Sequence, residues 1–336
     1  MPNHTYIIAE MSANHCGDIK LAKEIIKTAK EIGADAVKLQ TYTADTMTID
    51  CDRPEFKISD PKSLWYGETL YALYQKASTP WEWQKGLKEY AENEIGIELF
   101  STPFDDTAVD FLETINVQRY KIASFEAIDI PLIEYAAAKG KPMIISTGIC
   151  SKEEIHEAVD TCKKAGNNDI TLLKCTSSYP APLESMNILT IPDMIKEFGV
   201  KVGLSDHSMN IEPVIAAVAL GASVIEKHFT LDRALGGADA GFSLNTQEFK
   251  EMVQAVRNTE KVLGHIDYSV NKNNRYLARS LYAVKDIKKG EPFTKDNIRS
   301  IRPSNGLHPR YYNKILGKTA KQDFSRGTPF NWDYIH

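Results

Sequence analysis

The chain has 336 residues, 43% of them apolar and 25% charged, the composition of an ordinary globular protein with one large or two unequal domains. A net charge of −5 with no run of Lys or Arg argues against a nucleic-acid partner, and the longest apolar stretch, Val214 to Ile225, is too short and too interrupted to span a bilayer, so no membrane is expected. Five scattered cysteines (Cys16, Cys51, Cys150, Cys162, Cys175) without a C-x-x-C pair suggest neither a disulfide framework nor a zinc cluster, and with no secretory signal before TYIIAE the expected location is the reducing cytoplasm.

Taken in chain order, short apolar runs recur throughout the first 265 residues: YIIAE, AVKLQT, IELFST, RYKIAS, MIISTG, ITLLKCT, VKVGLS and SVIEKH. Between them lie segments with apolar residues at helical spacing, such as LAKEIIKTAKEIGA, DTAVDFLETI and KEEIHEAVDTCKKAG. Eight alternations of strand and helix predict a closed α/β architecture, the (β/α)8 TIM barrel, over residues 1–265. One connection is unusual. Residues 43–79 form an Asp-, Tyr- and Trp-rich insertion after the second strand, read either as a lid or as a surface decoration with its own helix over LWYGETLYALYQKA. Beyond the barrel, a polar linker (266–280) leads to a small β-rich C-terminal domain (281–336), short enough that docking on a barrel, its own or a partner's, is expected.

Nearly every predicted strand turns polar at its C-terminal end: Glu10, Lys38 with Gln40, Thr102, Lys121 with Ser124, Ser146, Ser177, His207 and His228. That end of a barrel carries the active site. Period-two alternation places Lys38 with Gln40 and Glu226 with His228 on shared faces, and turns Lys227 away. His207 and His228 close consecutive parallel strands, near enough to share one divalent ion; the alternative is a pair of satisfied core histidines. Lys38 and Lys121 among the hydroxyls of Thr102, Ser124 and Ser146 suit a phosphate or carboxylate. Either lysine could instead be ion-paired with Glu10 or Glu126, or act as a Schiff-base nucleophile. Beside a metal-polarised carbonyl, Glu10 and Glu126 are candidate proton carriers.

The ordered strings IIAEMSANHCGD, GADAVKLQTYT, STPFD, YKIASFE, PMIISTG, KCTSSYPAP, GLSDHS and EKHFTLDRALGGADAGFSL resemble the sialic acid synthase family across the barrel. RSLYAVKDIKKGEPFTKDNI and IRPSNG resemble that family's antifreeze-like (SAF) domain. The resemblance implies condensation of phosphoenolpyruvate with the open aldehyde of an N-acylated amino sugar, giving a nine-carbon 2-keto acid and phosphate with C–O cleavage. It implies phosphoenolpyruvate contacts at Lys38, Thr102, Lys121, Ser124, Ser146 and Ser177, and sugar contacts at Gln40, Tyr179, Asp239 and Arg302. His207 and His228 would hold a divalent metal, Mn²⁺ first, with Mg²⁺, Co²⁺ or Fe²⁺ as substitutes. A domain-swapped homodimer is implied as well, in which Arg302 reaches the partner's barrel.

Within the family, EMSANH and the insertion LWYGETLYALYQKASTPWEW look most like the pseudaminic acid synthase branch, whose sugar is a 2,4-diacetamido-2,4,6-trideoxyaltrose. An N-acetylneuraminate or legionaminic acid synthase, a Schiff-base aldolase and a pure sugar binder are the alternatives. Three departures from the family pattern stand out. Cys16 and Ser177 occupy positions where Asn is common, and GGADAGFSL replaces a GGPD-type string, which bears on redox sensitivity, phosphate binding and the placement of Asp239 respectively.

Overall fold

The apolar runs form eight strands because each alternates buried faces between the barrel interior and a surrounding layer of helices. A computed structural model describes residues 4–61, 63–270 and 272–336. Its strands are β1 (Tyr6–Glu10), β2 (Ala36–Thr41), β3 (Glu98–Pro103), β4 (Tyr120–Ile122), β5 (Met143–Ser146), β6 (Ile170–Cys175), β7 (Lys201–Asp206) and β8 (Val224–His228). They pair in sequence order, all parallel, and β8 closes on β1, making the (β/α)8 barrel. Register aligns the polar ends: Glu10 lies beside both Lys38 and His228, Gln40 beside Thr102, and Ser205 beside Glu226.

The helices are α1 (Ile19–Glu31), α2 (Ala44–Met47), α3 (Leu70–Ala77), α4 (Trp81–Glu89), α5 (Asp106–Thr114), α6 (Ile130–Ala137), α7 (Lys152–Lys164), α8 (Thr190–Phe198), α9 (Glu212–Ala219) and α10 (Thr246–Leu263). Local chemistry fixes their starts. Ser151 with Glu154 and Asn245 with Glu248 make reciprocal capping boxes at α7 and α10, while Asp105 caps α5. At the end of α8, Gly199 adopts a φ of +64°, the left-handed conformation that closes a helix.

The insertion contributes α2 and α3. Its helix starts at Leu70, six residues later than LWYGETLYALYQKA suggests, because Gly67 turns the chain at a φ of +85° and the Thr69 hydroxyl accepts from the Ala72 N–H at 3.2 Å. Among the described residues no helix is long and apolar enough to cross a membrane.

The chain divides after Gly264 into two compact units. The second has its own apolar core around Leu281, Phe293, Ile298, Phe324 and Phe330. It contains an antiparallel pair, β9 (Ser280–Ala283) and β10 (Ile298–Ile301), and a short helix, α11 (Tyr312–Ile315).

Candidate active site

Four charged side chains meet at the barrel mouth, all nearly excluded from solvent: Glu10, Lys38, Lys121 and Glu226. Lys38 is ion-paired with Glu10, donates to Thr102 Oγ1 at 3.0 Å and lies 3.7 Å from Glu226. Lys121 donates to Glu226 Oε1 at 3.0 Å, and Ser205 donates to the same oxygen at 3.0 Å. Both lysines are therefore ion-paired, Lys38 with Glu10 as the sequence alternative has it and Lys121 with Glu226, which that alternative does not name.

Burial raises the Glu10 carboxyl to about 7, aided by the charge of Glu226 and opposed by Lys38. Burial acts on Glu226 in the same sense, but Lys121 and Lys38 outweigh it and hold that carboxyl well below the usual range. For Lys38 the two carboxylates overcome the effect of burial and raise its pKa, whereas burial lowers that of Lys121. Two lysines thus face two carboxylates, of which Glu10, raised to about 7, takes up a proton the more readily. Proton uptake by Glu10 would leave a net positive pocket, which suits an anion.

Hydroxyls complete this side of the mouth. Ser177 Oγ, just beyond β6, donates to Ser124 Oγ at 2.9 Å, which in turn accepts from the Ile149 N–H at 3.2 Å. Gly148 makes the arrangement possible: a Cβ there would lie 2.3 Å from Ser177 Oγ and 2.7 Å from Ser124 Oγ. Ser146 Oγ is buried without a hydrogen-bond partner among the described residues. Glu126 sits in the turn after β4 with its Oε2 buried and equally unpartnered. Burial raises its carboxyl to about 7, against its own backbone N–H and the charge of Lys121.

On the β7 and β8 side, the rings of His207 and His228 are 5.3 Å apart between centroids and both are buried. His207 Nδ1 is 3.0 Å from the Thr176 carbonyl and so carries the proton, which leaves Nε2 as its ligating atom. His228 Nδ1 is buried with no partner, and burial pushes this ring well below its usual pKa, favouring the neutral form that binds metals. The pair fits a divalent ion. No set of three or more His, Cys, Asp or Glu side chains among the described residues is arranged to hold one, so the protein would supply two ligands and leave the other positions open. Aromatic rings wall the pair: Tyr179 lies 4.4 Å from His207 and Phe242 4.8 Å from His228.

Gln40 and Asp239 come together through a residue absent from the sequence-based candidates, Ser12. Gln40 Nε2 donates to Ser12 Oγ at 2.9 Å, and Ser12 Oγ donates to the Asp239 carboxylate. The insertion reaches the same place, with Trp65 Nε1 donating to the Ala238 carbonyl at 3.0 Å and its ring 6.3 Å from Tyr179. Arg302 follows β10 on the second unit and is exposed. Lys227, which the strand pattern turns away from the site, is buried on the outer face and paired with Asp206 at 2.6 Å.

Sequence reasoning missed Glu226, Ser12 and Phe242 as site residues. Only Glu226 had a usable signal, since period two puts it on the face of His228. Ser12 and Phe242 lie in short connecting turns, where no periodicity reveals which way a side chain points.

Comparison with known proteins places the chain among sugar-acid synthases. The NeuB family model matches residues 25–268 and the SAF domain model residues 278–335. The chain is 48% identical over 326 residues to a pseudaminic acid synthase of Campylobacter jejuni subsp. jejuni, covering 96% of this chain and 94% of that protein. It is 46% identical over 333 residues to a pseudaminic acid synthase of Helicobacter pylori, covering 98% and 97%. Among solved structures, the N-acetylneuraminic acid synthetase of Leptospira borgpetersenii, crystallised with citrate, superposes with a TM-score of 0.71 at 33% identity, covering 82% of this chain and 90% of that one.

Proposed function

This chain belongs to the NeuB family of synthases, and on that premise we propose that it acts as a pseudaminic acid synthase. It joins C3 of phosphoenolpyruvate to the aldehyde carbon of 2,4-diacetamido-2,4,6-trideoxy-L-altrose. Water adds at C2, and phosphate leaves with cleavage of the C–O bond. The observation that supports this most directly is the division of the barrel mouth: a lysine and hydroxyl side from β2 to β6 suits a phosphorylated carboxylate, and a bis-histidine side walled by aromatic rings suits a deoxy sugar.

In this reading Lys38 and Lys121 neutralise the carboxylate and phosphate of phosphoenolpyruvate, and Thr102, Ser124, Ser146 and Ser177 orient them by hydrogen bonds. Gln40, Tyr179 and Asp239 bind the sugar. Glu10 and Glu126, both raised to about 7 by burial, exchange protons with the water and the developing hydroxyl groups. A divalent metal, Mn²⁺ before Mg²⁺, Co²⁺ or Fe²⁺, would be held by His207 and His228 and would supply Lewis acidity towards the sugar aldehyde. The assembly we propose is a domain-swapped homodimer, in which Arg302 of the antifreeze-like domain completes the sugar site of the other copy. The reaction belongs in the cytoplasm, where phosphoenolpyruvate is formed.

The test is phosphate release from phosphoenolpyruvate with three sugars: the diacetamido-altrose, its 2,4-diacetamido-6-deoxy-mannose relative and N-acetylmannosamine. Each is run with and without EDTA, and products are identified by mass spectrometry. Highest kcat/KM with the altrose and loss of activity in chelator are expected. Preference for either other sugar would refute the substrate, and full activity in EDTA would refute the metal.

A further inference from the structure

Ser12 holds a backbone conformation that its own side chain disfavours. Its φ is +45°, in the left-handed region where a Cβ crowds the backbone and glycine is the natural occupant. Strain of this sort persists where the surrounding structure needs the residue that bears it. Ser12 is 2% exposed and makes three polar contacts. Its N–H donates to Glu10 Oε1 at 2.8 Å, Gln40 Nε2 donates to its Oγ at 2.9 Å, and its hydroxyl proton goes to Asp239. Glycine would accept the φ without cost and keep the first contact. Only the hydroxyl accounts for a side chain here.

The hydroxyl has one proton, directed at Asp239, and this polarity sets that of its neighbours. The Gln40 amide nitrogen faces Ser12 Oγ and Glu10 Oε1, the latter at 3.4 Å, so the Gln40 carbonyl oxygen is left for a ligand. Asp239, held also by the Ala13 backbone, offers carboxylate oxygens. Together the group presents acceptors.

We propose that Ser12 is a positioning residue that determines sugar specificity: its hydroxyl aligns Gln40 and Asp239 into one acceptor surface that selects hydrogen-bond donors on the substrate, the acetamido N–H and free hydroxyl groups. The proposal rests on the assignment of Gln40 and Asp239 to the sugar. The Ser12 hydroxyl acts on the sugar through Gln40 and Asp239.

The experiment compares Ser12→Gly and Ser12→Ala with the unmodified full-length enzyme, measuring kcat and the separate KM values for sugar and phosphoenolpyruvate, together with Tm. Both variants lack the hydroxyl, and Ser12→Gly folds because glycine suits the φ. Sugar KM should rise about tenfold in both, with the KM for phosphoenolpyruvate unchanged within about twofold. Ser12→Gly should melt about 2 °C above Ser12→Ala, separating strain from specificity. An unchanged sugar KM in both variants, or a phosphoenolpyruvate KM rising in step with it, would overturn the proposal. If the unmodified enzyme prefers N-acetylmannosamine, the substrate reading fails while the Ser12 comparison is made on that sugar. Turnover of no N-acyl sugar at all would overturn both.

Discussion

Lys121 and Glu226 form a buried ion pair across the barrel mouth, Nζ to Oε1 at 3.0 Å, with side chains only 2% and 5% exposed. Neither charge can be removed without stranding the other in a medium that solvates it poorly. Glu226→Gln should therefore cost about 3 kcal/mol of stability, measured by urea unfolding. Phosphoenolpyruvate should raise the Tm of this variant more than that of the unmodified protein, since its negative charges replace the one lost. Equal shifts would argue that the substrate does not meet Lys121.

Gly148 leaves the space that Ser124 and Ser177 occupy. In Gly148→Ala the new methyl would displace both hydroxyls, which can rotate away, so the fold survives while the hydroxyl shelf is lost. The KM for phosphoenolpyruvate should rise at least about tenfold, the sugar KM much less. Steady-state kinetics with each substrate varied in turn decides it, and an unchanged phosphoenolpyruvate KM would exclude these serines from its binding.

Removing either imidazole halves the proposed ligand set. His207→Ala and His228→Ala should each weaken Mn²⁺ binding at least about tenfold by isothermal titration, with kcat falling in parallel. Unaltered Mn²⁺ affinity in both variants would mean that the pair is not the metal site.

Trp65 ties the 43–79 insertion to the loop that carries Asp239 through its bond to the Ala238 carbonyl. Trp65→Phe keeps most of the ring and loses the donor. One lost hydrogen bond predicts a sugar KM about fivefold higher and faster proteolysis of residues 43–79, both absent if the insertion is only a surface decoration.

Glu126 makes stability depend on pH. Burial raises its carboxyl from an ordinary 4.5 to about 7, so its contribution is full below 4.5, where the group is neutral folded or unfolded. Between the two values the unfolded chain loses its proton while the folded protein retains it, and stability falls; above 7 the loss is complete. Glu126→Gln lacks this dependence. Its stability relative to the unmodified protein should rise by up to about 3 kcal/mol from pH 4.5 to 8, and a constant difference across that range would show that Glu126 is not held neutral.

The barrel was legible in the sequence because its signal is local. Each strand is a short apolar run, each helix a periodic one, and the polar residues cluster where strands end, so Lys38, Lys121, His207 and His228 could be assigned to one mouth from their place at the C-terminal ends of parallel strands. What the sequence by itself could not determine was the pairing of charges among them. Lys121 had several carboxylates within sequence reach, and only closure of β8 onto β1 brings Glu226, 105 residues away, to its side chain. Ser12 and the Asp239 loop are likewise 227 residues apart, joined by short turns whose direction is set by packing. Long-range contacts of this kind carry no periodicity, and tertiary structure alone decides them, because they depend on where the chain returns and not on any property of its neighbours in sequence.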